Sequence, residues 1–277
     1  MTMQKFKPIV WATQLEKDLE PARVFVENTN RKYEGLAKKP GDSVKILGIG
    51  KPTLRTWTDG KLHLLDDAEE VQDISMTMPI NNVTDFNFKV DDLDKAQSAA
   101  DGSVLSEYMT ETKDMIAQEE DTFIASLAKD KNIKVAETAS TALTKDTILD
   151  FADKGLLALL KNNVSRNTEI TITAPPWFIL MMKRAYVELD TNNSEMMKNG
   201  RVGRYGGMTL KESNNVANDG TYDLIQVKTN RAISFVQPYL HMEPYRIEKE
   251  FSDAVKGYVL YDAKVTRPKE IVVLKAK

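Results

Sequence analysis

Residues Ser103–Lys129 form the longest unbroken helical pattern in the chain, free of Gly and Pro. Leu105, Met109, Thr112, Ile116, Phe123 and Leu127 recur at the spacing of one helix face. Glu107, Glu111, Lys113, Asp114 and Glu120 fall opposite them, which predicts a face turned to solvent or to polar partners. Ser103 follows Gly102 as the candidate N-cap. At 1.5 Å rise per residue the helix is roughly 40 Å long, enough to act as a spine for the rest of the chain.

Other segments follow the strand period of two. Val44 and Ile46 alternate with polar residues, as do Ile74, Met76 and Met78, and then Phe86 and Phe88. These runs bracket an insert, residues 47–71, rich in Gly, Pro, Lys, Asp and Glu, so the pattern predicts a long hairpin with a polar tip. Such a ribbon is marginal alone in water and needs a surface to lie on. Phe6 to Tyr33, with Trp11, Leu15 and Leu19 widely spaced, reads as an extended arm with a short helix that must lie on the molecule or on a neighbour. Leu143–Leu160 predicts a second helix capped by Thr144, with Ile148, Phe151, Ala152, Leu156 and Leu159 inward. TEITITA is a strand stopped by Pro175, and Pro176 suits the first position of the helix PWFILMMKRAYVEL. Residues 196–207 hold Arg201 and Arg204 among glycines, and MTLKES, YDLIQVK, YRIEKE, GYVLYDAKVTR and EIVVLK complete the strands. Strands before and after one long helix predict that the final segment pairs beside the spine in a mixed α+β chain.

Composition narrows the function. With 38 basic and 41 acidic side chains the net charge is −3, against a dedicated nucleic-acid binder or a basic membrane-surface protein. No cysteine is present, which excludes disulfides, thiolate metal sites and a cysteine nucleophile. No apolar run suggests a signal peptide or a membrane span, so no membrane partner is expected.

Catalytic signatures are wanting. The histidines, His63 and His241, are only two and stand in no ligand-spaced pattern. Gly48 and Gly50 lack the third glycine and the helix of a dinucleotide cradle. Neither a phosphate loop nor a nucleophile elbow occurs. Glu119, Glu120 and Asp121 are consecutive on a helix and point about 100° apart, so they cannot converge on one ion; they read as a solvated or subunit-facing surface. Hence no catalytic, cofactor or metal residues are assigned and no enzyme is expected. In the hairpin insert, Asp66, Asp67, Glu69 and Glu70 stand against Lys51, Arg55 and Lys61. That mixture reads equally as a soluble loop or as an arm whose charges pair with a complementary neighbour.

Taken in order, these patterns resemble the major capsid proteins of tailed bacteriophages, with the Hong Kong ninety-seven-like fold. The resemblance covers nearly the whole chain: an arm ending in NRKYEG, GDSVKI with the long strand pair, VDDLDKAQS before the spine helix, TITAPPWFILMMKRAY, RVGRYGGMTLKES, and the closing GYVLYDAKVTRPKEIVVLK. It implies an N-terminal arm (1–40), an extended β-hairpin loop (41–90), a peripheral domain with the spine helix (91–140 and 241–277) and an axial domain (141–240). It also implies self-assembly into hexamers and pentamers of an icosahedral virion shell, built in the bacterial cytoplasm around double-stranded DNA that is contacted non-specifically. A portal, a separate scaffolding protein and a decoration protein are the further partners it suggests. Subunit contacts are expected at Trp11 and Leu15 of the arm, at Lys51, Arg55, Trp57 and Lys61 of the hairpin, and at Arg201 and Arg204 near the axial tip. Two alternatives stand beside this: an encapsulin-type nanocompartment shell and, more distantly, a soluble α+β enzyme or ligand-binding protein.

Overall fold

The computed structural model describes residues 23–34, 43–46, 53–54, 56–58, 60–61, 70, 75–91, 103–188, 203–248 and 250–277. Its elements are α1 (Val24–Glu27), β1 (Ser43–Ile46), β2 (Met76–Pro79), β3 (Asn82–Asp91), α2 (Ser103–Ser126), β4 (Lys134–Thr138), α3 (Ile148–Lys161), β5 (Ile170–Ala174), α4 (Pro176–Glu188), β6 (Arg204–Tyr205), β7 (Met208–Glu212), β8 (Asp223–Thr229), β9 (Ile233–Arg246), β10 (Ser252–Val265) and β11 (Ile271–Ala276). The spine is α2, prolonged by one 3₁₀ turn over Leu127–Lys129. The strands form three sheets, with orders β1-β2, β3-β10-β9 and β4-β11-β8-β5-β7-β6.

Two 14-residue strands, β9 and β10, make the long antiparallel ribbon at the centre. Their period of two gives the ribbon two apolar faces. Phe235 and Val259 pack under the spine helix with Ile116 and Ile124, whereas Val236 and Leu260 turn the other way. On that second face lie Val44, Ile46, Met78 and Ile80. The base of the β1–β2 hairpin therefore lies on its own chain, which is the surface such a ribbon requires. Residues 82–91, grouped with the hairpin on pattern alone, pair along their whole length with β10 instead, from Asn82 opposite Tyr261 to Asp91 opposite Ser252.

The six-stranded sheet carries α3 and α4 over Ile172, Val227 and Leu274, with Phe151, Leu159, Phe178 and Met182 filling the space between. Pro176 opens α4 as its N-terminal position allows. Helix α3 begins at Ile148 with Thr147, not Thr144, as its N-cap residue; the Thr144 backbone N–H instead donates to Thr147 Oγ1 at 3.1 Å. Two adjacent strands of this sheet serve both cores. Leu224 of β8 and Ile271 and Val273 of β11 face the spine helix, while Ile225, Val227, Val272 and Leu274 face α3 and α4. The last strand thus lies in the six-stranded sheet between β4 and β8, with Ile271 and Val273 against the spine.

The spine departs from its predicted faces. Its buried positions are Met109, Ile116, Ala117, Glu120, Asp121, Ile124, Ala125 and Ala128, a regular i, i+4 stripe once residues 116 and 117 are taken as its start. Phe123 and Leu127 are only half-buried at its edge, and Tyr108 and Met115 are 55% and 65% exposed on the outer side. Glu120 and Asp121, expected on a charged surface, lie in the middle of the buried stripe, whereas Glu119 is exposed as expected.

Candidate functional site

Those two carboxylates anchor the arm. Helix α1 is a single turn of four residues, far below the length at which a helix persists unaided. Arg23, in extended backbone, supplies no side-chain cap. Asp121 of the spine does so from outside: Oδ2 accepts from Val24 N at 2.8 Å, and Oδ1 accepts from Phe25 N and Val26 N, each at 3.2 Å. A carboxylate at this end both satisfies the orphan donors and complements the helix dipole. At the other end, Lys228 Nζ of β8 donates to Asn28 O at 2.8 Å and Thr29 Oγ1 to Val26 O at 2.6 Å. Arg23 Nε lies 2.7 Å from Glu120 Oε2, at ion-pair distance but without the alignment of a hydrogen bond, and Arg23 Nη1 donates to Gln237 Oε1 at 3.1 Å. Gln226, next but one to Lys228, donates Nε2 to Ile124 O and Ala125 O of the spine. Beyond α1, Asn30 exchanges backbone hydrogen bonds with Ile233 and Phe235 and so continues the arm along β9.

Arg23, Glu120, Asp121 and Lys228 are each at most 2% exposed. Burial therefore governs the protonation of Glu120, Asp121 and Lys228. It pushes the Glu120 carboxyl up to about 7 against the pull of Arg23. It raises Asp121 despite the lowering effect of the backbone N–H groups it accepts. It pushes the Lys228 ammonium down to about 7, opposed by the attraction of Asp121 and reinforced by Lys211. A cluster closed to solvent on all four members has no room for a substrate, and what it can do is hold the arm to the spine and to β8. Among the described residues, no group of three or more His, Asp or Glu could hold a metal ion, and no helix is long and apolar enough to cross a membrane.

The expected contact residues divide in two. Trp11, Leu15, Lys51, Arg55 and Arg201 lie outside the described residues. Trp57 is 50% exposed, Lys61 is exposed, and Arg204 is exposed on the edge strand β6, opposite Thr209. Reasoning from sequence missed Asp121, Lys228 and Gln226. The available signal was spacing: Glu120 and Asp121 stand four residues after Ile116 and Ala117 and four before Ile124 and Ala125. It also missed Phe251, 82% exposed at the β9–β10 turn.

No family model matches the sequence, and no curated protein sequence matches it. Solved structures do. A chain from Mycobacterium phage Che8 superposes with TM-score 0.73 at 24% identity, over 91% of this chain and 90% of that one. The capsid structure of cyanophage P-SCSP1u gives 0.71 at 16% identity, over 100% and 91%. The holo-SrpI encapsulin complex of Synechococcus elongatus gives 0.56 at 13% identity, over 86% and 83%. An arm laid on a spine helix, a hairpin laid on a long ribbon and a six-stranded sheet under two helices make up an α+β chain with the phage major capsid fold.

Proposed function

We propose that this chain is a major capsid protein: a structural, non-enzymatic subunit that self-associates into the hexamers and pentamers of an icosahedral shell enclosing double-stranded DNA. The observation that carries this is the shared fold over the entire chain with a phage capsid, at TM-score 0.71. The spine helix with β3, β9 and β10 is then the peripheral part, and the six-stranded sheet with α3 and α4 the axial part. Head-to-tail contacts repeat around a ring, so each need be only modest, on the order of 800 Å² per partner. Trp11, Leu15, Lys51, Arg55, Trp57, Lys61, Arg201 and Arg204 are the residues we assign to those contacts. A portal, a separate scaffolding protein and a decoration protein complete the assembly in the bacterial cytoplasm.

The encapsulin likeness at TM-score 0.56 supports a second reading, a shell around protein cargo. Sedimentation and negative-stain microscopy of the purified protein, alone and with the products of neighbouring genes, test both. Closed shells or capsomer-sized rings are expected, and shells filled with DNA rather than cargo protein separate the two readings. A compact monomer under every condition overturns both.

A further inference from the structure

The three-stranded sheet ends in two unlike edges. β9 forms one of them: Asn30 of the arm already bridges Ser234 there, and Pro238 and Pro244 have no N–H to offer a further strand. β3 forms the other, a strand of 10 residues without proline that pairs on one side only, with β10, among the described residues. Phe86 and Phe88 turn under the spine, Phe88 stacking on Tyr108 with ring centroids 5.7 Å apart. Asp85, Asn87 and Lys89 stand exposed on the opposite face.

Charges on an open edge ordinarily keep other strands away. Here they differ in sign on either side of Asn87, and that changes what they select. Set antiparallel to itself with Asn87 opposite Asn87, the strand brings Asp85 of each copy against Lys89 of the other. Opposite charges facing each other on one side of a sheet stabilise the pairing, and like charges oppose it. Parallel pairing in register would set Asp85 against Asp85 and Lys89 against Lys89. We propose that β3 is a two-fold contact, pairing with β3 of a second copy about Asn87 and joining two three-stranded sheets into one. Residues 83–91 of each copy take part, which satisfies the outward backbone groups of the edge. The axis through Asn87 stands across the sheet and keeps both spine helices on the same face. Lys89 stays beside Glu250 of its own chain and gains Asp85 of the second copy. Such a contact uses the same patch on both partners, unlike the head-to-tail contacts of a ring, so it links one ring to the next. The inference rests on the shell reading for its second copy and gives that shell a joint between rings.

The chain has no cysteine, so single substitutions read the register directly. In the proposed pairing the Cβ atoms of residue 87 in the two copies lie about 4.5–5.5 Å apart, a separation that a disulfide closes with a small adjustment. N87C, assembled and then oxidised with diamide, is expected to run as a covalent dimer on a non-reducing gel. D85C alone is expected to run as a monomer, because residue 85 of one copy lies roughly 13 Å along the strand from residue 85 of the other. An equal mixture of D85C and K89C chains is expected to give the mixed dimer. Assembled N87C without the dimer overturns the inference, and so does a D85C dimer as abundant as that of N87C, which means collision or another register. Either result leaves the shell reading standing, since the assemblies are there. If no rings or shells form, that reading fails, and diamide treatment of the concentrated subunit decides the pairing by the same three bands. Asn87 accepts from the Tyr245 hydroxyl at 3.1 Å. Should N87C melt early for want of that bond, the D85C and K89C mixture decides the register alone.

Discussion

Phe86 lies across Gly257 of the neighbouring strand: a Cβ at residue 257 would stand 2.5 Å from Phe86 Cζ and 2.6 Å from the His241 carbonyl oxygen. Gly257 is on β10, the middle strand of its sheet, opposite Phe86 on one side and Met242 on the other. The ring covers a gap that only glycine leaves. Gly257→Ala is expected to destabilise the subunit by about 2–3 kcal/mol or more. Thermal unfolding checks this. Adding Phe86→Leu recovers only part of the loss, because the backbone oxygen cannot move aside.

Gly155 offers a graded comparison. A Cβ there would meet Leu274 Cδ1 at 2.9 Å and Val227 Cγ2 at 3.0 Å, both ends of side chains that can turn. Alanine also gains up to about 1 kcal/mol over glycine within a helix. Gly155→Ala is therefore expected to change stability by less than half as much as Gly257→Ala in the same melting experiment. Gly155→Val, larger and β-branched, is expected to behave like a true overpacking change.

Asp121→Ala removes the acceptor of three backbone N–H groups of α1, those of Phe25 and Val26 buried and that of Val24 partly so. Leaving buried donors unmatched costs about 1–3 kcal/mol each before relaxation. The arm is expected to detach before the rest of the fold does. Limited proteolysis checks this: new cleavage between Arg23 and Glu34 at a protease level that leaves the unaltered protein intact, with little change in the melting of the six-stranded sheet.

The pH dependence of folding follows from the same cluster. Glu120 holds its proton more tightly folded than unfolded, up to about 7 against an ordinary 4.5. The native state thus binds more protons across that interval, and Glu120 makes stability fall as pH rises from about 4.5 to 7. Its full effect is about 3 kcal/mol, an upper figure from 1.36 kcal/mol per pKa unit. Lys228 acts in the opposite sense. Its folded pKa is depressed from 10.5 to about 7, so the unfolded state binds more protons between those values and stability recovers as pH rises through them. Denaturant unfolding across pH 5 to 10 is expected to show a minimum near neutrality. Glu120→Gln flattens the acid limb and Lys228→Met the alkaline one; a profile unchanged by both sinks the assignment.

Trp57 is half-exposed on the hairpin insert. If Trp57 makes the subunit contact proposed above, Trp57→Ala is expected to leave the melting temperature of the isolated subunit within about 1 °C and to raise the protein concentration at which assemblies appear. Sedimentation at graded concentrations separates these two quantities.

Much of this architecture is legible in the sequence because it rests on period and punctuation. The spine, the strand before Pro175, the helix starting at Pro176 and the closing strands all follow from spacing and from proline chemistry. What the spacing did not reveal was phase and partner. Thr112 and Phe123 pulled the predicted spine face away from the Ile116–Ala117 stripe, and charge alone then assigned Glu120 and Asp121 to the surface. A buried acid is recognised only through what caps or pairs with it, and Val24 lies 97 residues from Asp121, as Arg23 does from Glu120. Strand pairing was hidden for the same reason. Phe86 and Phe88 alternate as well for a hairpin as for a sheet edge, and it is the meeting of Phe86 with Gly257 and of Phe88 with Val255 that decides between the two.

A single pair of neighbouring strands, β8 and β11, shows one set of side chains to the spine and the alternate set to α3 and α4. The two cores therefore have a common wall, and neither can melt while the other keeps its lining. Once the arm is set aside, unfolding of the two cores is therefore expected to be cooperative despite three separate sheets. A population of such subunits contains complete folded chains and unfolded ones, with few half-formed between them; under the shell reading proposed above, a growing lattice would then be spared the defect of adding a piece whose rim is folded and whose centre is not.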